Sequence, residues 1–146
     1  MNVRGCGSSS SITGVIVATN KEIIESAYAS FAKGDIPGVL AVMDPEIEWT
    51  EAEGYPIYSG TLVGPQAIVD GVFTRVGEIG DNFAVVPNKF IAEEDTVVTL
   101  GTYSWNHKVT GEPAEVKMIH VWTFADGKVT RYQQYVDTAK VRDLIA

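Results

Sequence analysis

The spacing of apolar positions changes along the chain. Ile23, Ile24, Ala27, Tyr28 and Phe31 recur at helical intervals behind a capping box, Thr19-x-x-Glu22, until Gly34 ends the run. One face of this first helix is therefore apolar. Asp35 and Pro37 open a short second helix carrying Val39, Leu40 and Met43, which ends before Asp44-Pro45. From Glu46 to Glu51 the period drops to two: Ile47 and Trp49 alternate with charged residues, as in a half-buried strand. Ala52 to Thr61, rich in Gly, Pro and Tyr, reads as an irregular rim or lid loop with a short strand around Ile57 to Ser59. Gly64-Pro65 starts a third helix bearing Ile68, Val69, Val72, Phe73 and Val76, and Gly77 to Gly80 closes it.

The remainder reads as β. Runs at Asn82 to Ile91, Thr96 to His107, Ala114 to Ala125 and Lys128 to Asp137 are separated by turns at Glu94-Asp95, Thr110-Gly111 and Asp126-Gly127. Thr138 to Ile145 reads as a closing helix. Turns this tight leave no room for parallel crossovers, which predicts a mainly antiparallel sheet, mixed only at an edge, around the three N-terminal helices. A long, twisted sheet curls and offers a concave face to the helices. The expected fold is α+β: one domain over residues 20–146, with residues 1–19 as an extension, in which sheet and helices enclose a largely apolar pocket. Alternation puts Val116, Met118, His120, Trp122 and Phe124 on one side of their strand, and Tyr103 and Trp105 together on theirs. On the last strand Arg131, Gln133, Tyr135 and Asp137 share a face, opposite Thr130, Tyr132, Gln134 and Val136. Apolar residues occur on both sides of the sheet, so a homodimer through the sheet face is expected.

Charge and cysteine usage narrow the partners. The net charge of −8 excludes nucleic acid and anionic membrane surfaces as main partners, since both demand clustered positive charge. Cys6 stands alone, which rules out an intramolecular disulfide and fits a reducing, cytoplasmic setting. No apolar run reaches the ~18 residues that span a bilayer. The segment with Arg4 and the apolar stretch Ile12 to Ala18 is short and glycine-interrupted and lacks a small-x-small cleavage site; it reads as an extension laid over its own barrel or a neighbouring subunit, not as a signal peptide.

Four stretches, Ala27 to Asp35 (AYASFAKGD), Met43 to Thr50 (MDPEIEWT), Gly60 to Ile68 (GTLVGPQAI) and His120 to Asp137 (HVWTFADGKVTRYQQYVD), together with the element order over residues 20–140, resemble the SnoaL-like and ketosteroid-isomerase-like branch of the nuclear transport factor two (NTF2-like) superfamily. The resemblance implies an NTF2-like cone, with steroid isomerases, polyketide cyclases, epoxide hydrolases, dehydratases and non-catalytic binding modules as possible functions. The isomerases' aspartate base falls nearest Thr50 and Glu51, their helix-1 tyrosine near Ala27 and Tyr28, and their protonated aspartate on His120. The epoxide-hydrolase Arg-x-Asp is replaced by Met118-Ile119-His120. The polyketide cyclases imply a histidine here with an aspartate on the last strand, for which Asp137 is the available carboxylate.

The candidate catalytic residues are His120, Asp137 and Glu51. An imidazole near its ordinary pKa of about 6.5 can move a proton at neutral pH, unless His120 is a core histidine satisfied by a backbone carbonyl; Asp137 on the next strand can orient it, or else pair with Arg131 or simply cap the closing helix. Glu51 or Glu53 can act as a base if burial raises its pKa. The pocket walls are expected from Tyr28, Phe31, Trp49, Tyr58, Tyr103, Trp105, Met118, Trp122, Phe124, Gln133 and Tyr135, a mainly aromatic set suited to a small apolar or cyclic ligand. With two histidines and one cysteine, no metal site is expected, and no phosphate loop, nucleophile elbow or dinucleotide fingerprint implies a cofactor. Two readings stand side by side: a cofactor-independent acid–base enzyme of isomerase, cyclase or hydratase type, and a non-catalytic ligand-binding or protein-association module.

Overall fold

The capping box forms as its sequence requires. The Thr19 hydroxyl accepts from the Glu22 N–H at 3.1 Å, and the Glu22 carboxylate accepts from the Thr19 N–H at 2.9 Å, starting helix α1 (Asn20–Ala32). The structure, a computed structural model, describes residues 17–146; residues 1–16, the greater part of the predicted extension, lie outside the described residues. Asp35 caps α2 (Ile36–Leu40) through the Gly38 N–H.

Strand β1 (Met43–Glu51) begins earlier than the apolar alternation indicated and runs through Asp44-Pro45. Its ladder has an irregularity between Met43 and Glu48, and Pro45, which has no N–H to give, falls inside that break. The short strand of the rim loop is β2 (Gly60–Val63), downstream of its expected place at 57–59; Ile57 is buried in the core instead. Helix α3 (Pro65–Gly71) gives way to a 3₁₀ turn at Phe73–Glu78, so the expected third helix is broken. Then come β3 (Asp81–Glu93), β4 (Thr96–Asn106), β5 (Pro113–Ala125), β6 (Lys128–Val136) and α4 (Thr138–Ile145). Asp126 and Gly127 both take positive φ, 51° and 77°, the geometry of the tight hairpin turn that Asp-Gly favours.

The sheet order is β2-β1-β6-β5-β4-β3. All neighbours are antiparallel except β1 and β6, which pair in parallel, Trp49 beside Tyr132 and Thr50 beside Gln133. The sheet is thus mixed and not purely antiparallel. Tight turns constrain only consecutive strands, and β1 and β6 are joined by most of the chain, length enough for a crossover.

Period-two alternation holds on β4 and β5, whose inward positions are all buried. On β6 a bulge sets two residues against one: Thr123 faces Arg131 while Phe124 faces Val129. Beyond it, Tyr132 and Gln134 point inward, opposite Trp122 and His120. The core forms two apolar clusters. One centres on α1, β1 and the C-terminal end of β5; the other lies against α4, the C-terminal end of β4 and the N-terminal end of β5. No helix among the described residues is long and apolar enough to cross a membrane.

Candidate functional site

Between the two clusters lies a cavity. It takes Tyr28, Trp49 and Trp122 from the first and Tyr55 and Tyr103 from the second, with His120, Glu51 and Gln134 set among them. Its empty space is about 560 Å³, the open solvent at its mouth included. Trp49 stacks on Tyr132, ring centres 3.5 Å apart, and Trp122 stands edge-on to Tyr28. These are flat apolar walls of the kind that take a ring-shaped ligand.

The polar groups form one chain across this cavity. His120, only 4% exposed, meets the Tyr28 hydroxyl at Nδ1 and the Tyr103 hydroxyl at Nε2, each at 2.6 Å. The Trp122 indole N–H donates to the Tyr28 oxygen at 3.2 Å. At the other end the Gln134 amide N–H donates to the Tyr103 oxygen at 2.8 Å, while its carbonyl oxygen accepts from the Ala52 N–H at 3.0 Å. Burial pushes the His120 pKa down to about 3, so the imidazole is neutral at physiological pH. Burial likewise drives Tyr28, Tyr103 and Tyr132 above the ordinary phenol value, so all three hydroxyls keep their protons.

Glu51 stands beside this chain. It is the last residue of β1 and shares parity with Ile47 and Trp49, so it points inward and is 2% exposed. Its carboxylate accepts one hydrogen bond, from the Trp49 indole N–H at 2.9 Å. Burial lifts its pKa to about 7, the Trp49 bond opposing in part. Its charge also bears on Tyr55, Tyr103 and Tyr132, which places it at the Tyr103 end of the chain. Among the described residues no group of three or more His, Cys, Asp or Glu is arranged to hold a metal.

With this geometry in view, the family assignment is direct: the model of the SnoaL-like domain matches residues 24–132, from α1 into β6. The chain belongs to the SnoaL-like domain family. An NTF2-like protein from Burkholderia thailandensis is 32% identical, with a TM-score of 0.82 over 89% of this chain and 99% of that one. An NTF2-like protein of unknown function from Burkholderia pseudomallei is 30% identical, at 0.77 over 89% and 99%. TerC, co-crystallised with polyporic acid, is 34% identical, at 0.78 over 86% and 97%. No curated protein matches the chain.

Within the SnoaL-like domain the expected site residues separate. Tyr28, Phe31, Trp49, Tyr103 and Trp122 line the cavity with His120 and Glu51. Trp105 and Met118 belong to the second cluster and Phe124 to the first, and Tyr58 packs on the edge of the first; none lines the cavity. Gln133 and Tyr135 are on the outer face, Tyr135 55% exposed. The expectation that Gln133 and Tyr135 face the pocket is overturned: the register of β6 with β5 sets Tyr132 and Gln134 inward, opposite Trp122 and His120. Asp137 is exposed and accepts from the Lys140 N–H at 3.0 Å as the cap of α4, so it does not orient His120. His120 itself is not poised to titrate near neutrality, because burial disfavours its charged form. Glu53 is exposed. Gln134, Tyr132 and Tyr55 were missed, although Gln134 and Tyr132 share the parity opposite to the face first chosen.

Proposed function

We propose that this SnoaL-like domain is a cofactor-independent enzyme performing acid–base chemistry, an isomerisation, cyclisation or hydration, on a small apolar or carbonyl-bearing ligand held in the cavity. The observation that carries the reading is Glu51, a carboxyl whose pKa burial brings to about 7 at the edge of a tyrosine–histidine–tyrosine chain in an apolar cavity. Such a group both takes and returns a proton at neutral pH. Glu51 accepts a proton from a carbon next to the ligand carbonyl; the C–H electron pair forms the new carbon–carbon double bond and the carbonyl pair moves onto oxygen. A tyrosine hydroxyl meets the resulting enolate oxygen. Return of the proton from Glu51 to a different carbon completes an isomerisation. In this reading His120 holds the tyrosines and is not the base. The relative co-crystallised with polyporic acid supports a small organic ligand in the cavity.

Deuterium incorporation tests this. A panel of cyclic ketones in heavy water should exchange α-protons faster with the protein than in buffer, and Glu51→Gln should abolish the gain. Ketones that bind without exchange would sink the enzyme reading and leave the binding module, which the mutual engagement of His120 and the two tyrosines also suits.

The dimer expectation has its own support. Leu100, Ile119 and Tyr135 lie abreast on the outer faces of β4, β5 and β6, Ile119 39% and Tyr135 55% exposed. A second copy covering that row would give a dimer by sedimentation, and Ile119→Asp with Tyr135→Asp would give a monomer. The single cysteine, Cys6, keeps the cytoplasm as the setting.

A further inference from the structure

Glu51 is a buried acid to which the described residues supply no positive partner. Burial raises its pKa and the Trp49 hydrogen bond opposes that; no Lys or Arg charge enters. Neither residue type lines the cavity, where the one imidazole, His120, is held neutral. Buried carboxylates are ordinarily paired, because an unpaired one gives up its hydration for nothing. The Glu51 carboxyl has a place for such a partner: Trp49 Nε1 donates to Oε2 at 2.9 Å, and Oε1 accepts from none of the described residues.

The groups bordering that carboxyl are aromatic. Its charge bears on Tyr55 from the rim loop, Tyr103 from β4 and Tyr132 from β6. Tyr132 is closed on one side by Trp49, ring centres 3.5 Å apart, whereas Tyr55 and Tyr103 are tilted with centres 6.4 Å apart and do not close on each other in that way. The face of an aromatic ring is electron-rich and attracts a cation within about 6 Å of its centre. A carboxylate among such rings therefore draws the same charge for two reasons. An anion meets the reverse, with no positive group to receive it and Glu51 as a like charge. The net charge of −8 on the whole chain adds a long-range bias of the same sign.

We propose that the cavity selects its ligand by charge: it binds small organic ammonium ions with an apolar body, Glu51 serving as the counter-ion among the bordering rings, and it rejects carboxylates. This rests on the cavity's being a small-molecule site, as the proposed function does, and not on proton abstraction by Glu51. Binding is then coupled to a proton. Below about pH 7 the Glu51 carboxyl is protonated, and a cation pairs with it only as that proton leaves to solvent. The other titratable groups lining the cavity are Tyr28 from α1, His120 from β5, and Tyr55, Tyr103 and Tyr132. Burial keeps the four hydroxyls protonated and the imidazole neutral, so Glu51 alone changes charge in the neutral range.

The probes are benzyltrimethylammonium, which is permanently charged, 2,2-dimethylpropylbenzene, in which carbon replaces its nitrogen, and 3-phenylpropanoate. In calorimetry on the full chain the ammonium probe should bind about a hundredfold more tightly at about pH 8 than at about pH 5, roughly tenfold per unit below the Glu51 pKa. The neutral probe should be indifferent to pH, and the carboxylate should not bind at about pH 8. At about pH 6, buffers of different ionisation enthalpy should show close to one proton released per ammonium bound. Glu51→Gln should weaken the ammonium probe by about tenfold or more at about pH 8, erase its pH dependence and spare the neutral probe, whose binding shows the cavity intact. Ammonium binding that ignores pH, releases no proton, survives Glu51→Gln or is undetectable at about pH 8 would overturn the proposal, as would a carboxylate bound as tightly as the ammonium. If Glu51→Gln does not fold, the wild-type pH profile and proton count decide the matter. Ammonium binding without exchange of ketone α-protons sinks catalysis and leaves this assignment, while exchange without ammonium binding does the reverse.

Discussion

Replacing Glu51 by Gln isolates what it costs to hold a carboxyl in the cavity wall. Burial raises the Glu51 pKa from 4.5 to about 7, so the folded chain holds this proton more tightly than the unfolded chain. Stability must then fall as pH rises. Below 4.5 both states are protonated and the carboxyl has no effect on the slope. Between 4.5 and about 7 the unfolded chain ionises while the folded one does not. Above that range both are ionised, and the full penalty of a buried carboxylate is in force. A shift of about 2.5 units at about 1.4 kcal/mol per unit gives about 3 kcal/mol. Gln has nearly the same shape, keeps an oxygen for the Trp49 N–H and cannot ionise. Urea unfolding of both chains, followed by tryptophan fluorescence, gives the difference directly, because every other titration is shared and cancels. The advantage of Glu51→Gln over wild type should grow by about 3 kcal/mol between about pH 4.5 and about pH 8. Parallel curves would mean that the carboxyl is as well solvated as in the unfolded chain, and the case for Glu51 as a base would go with them. A difference of opposite sign would mean that the anion is the stabilised form.

His120 gives the mirror image: its folded pKa of about 3 lies below the ordinary 6.5, so its contribution is present above pH 6.5 and is lost as pH falls toward 3, by about 5 kcal/mol in all. His120→Gln should flatten that acid limb in the same urea assay. Asp137→Ala should cost about 1 kcal/mol through loss of the α4 cap and leave ligand affinity unchanged in calorimetry; a large loss of affinity would restore Asp137 to the site. Gly101→Ala should destabilise by about 1–3 kcal/mol in thermal melts, because a Cβ there would meet the Met118 methyl at 2.5 Å and the Val86 carbonyl oxygen at 2.6 Å.

What the sequence could show of this protein divides along physical lines. Helix caps and hairpin turns are local, so Thr19, Asp35 and Asp126-Gly127 announce their structures directly. Face assignment on β4 and β5 is equally legible, because one parity there carries the aromatic residues, Tyr103 and Trp105 on β4 and Trp122 and Phe124 on β5. On β6 both parities carry aromatic and amide groups, Tyr132 and Gln134 against Gln133 and Tyr135, and only pairing with β5 shows which set is buried. The parallel contact of β1 with β6 is likewise a long-range event that no local pattern encodes.

The protonation states were harder still, and they decide the chemistry. That His120 sits among apolar groups was readable from alternation, yet the same alternation that puts an imidazole in a pocket also strips it of water and takes away its titration near neutrality. Glu51 undergoes the converse change: it shares parity with Ile47 and Trp49, and the desolvation that disables His120 as a base brings a carboxyl into the working range. Burial lowers the pKa of a cation and raises that of an anion, so in a dry cavity holding one of each the two exchange the parts that their ordinary pKa values would give them. The histidine then becomes a neutral connector between Tyr28 and Tyr103, with one proton to give and one to take.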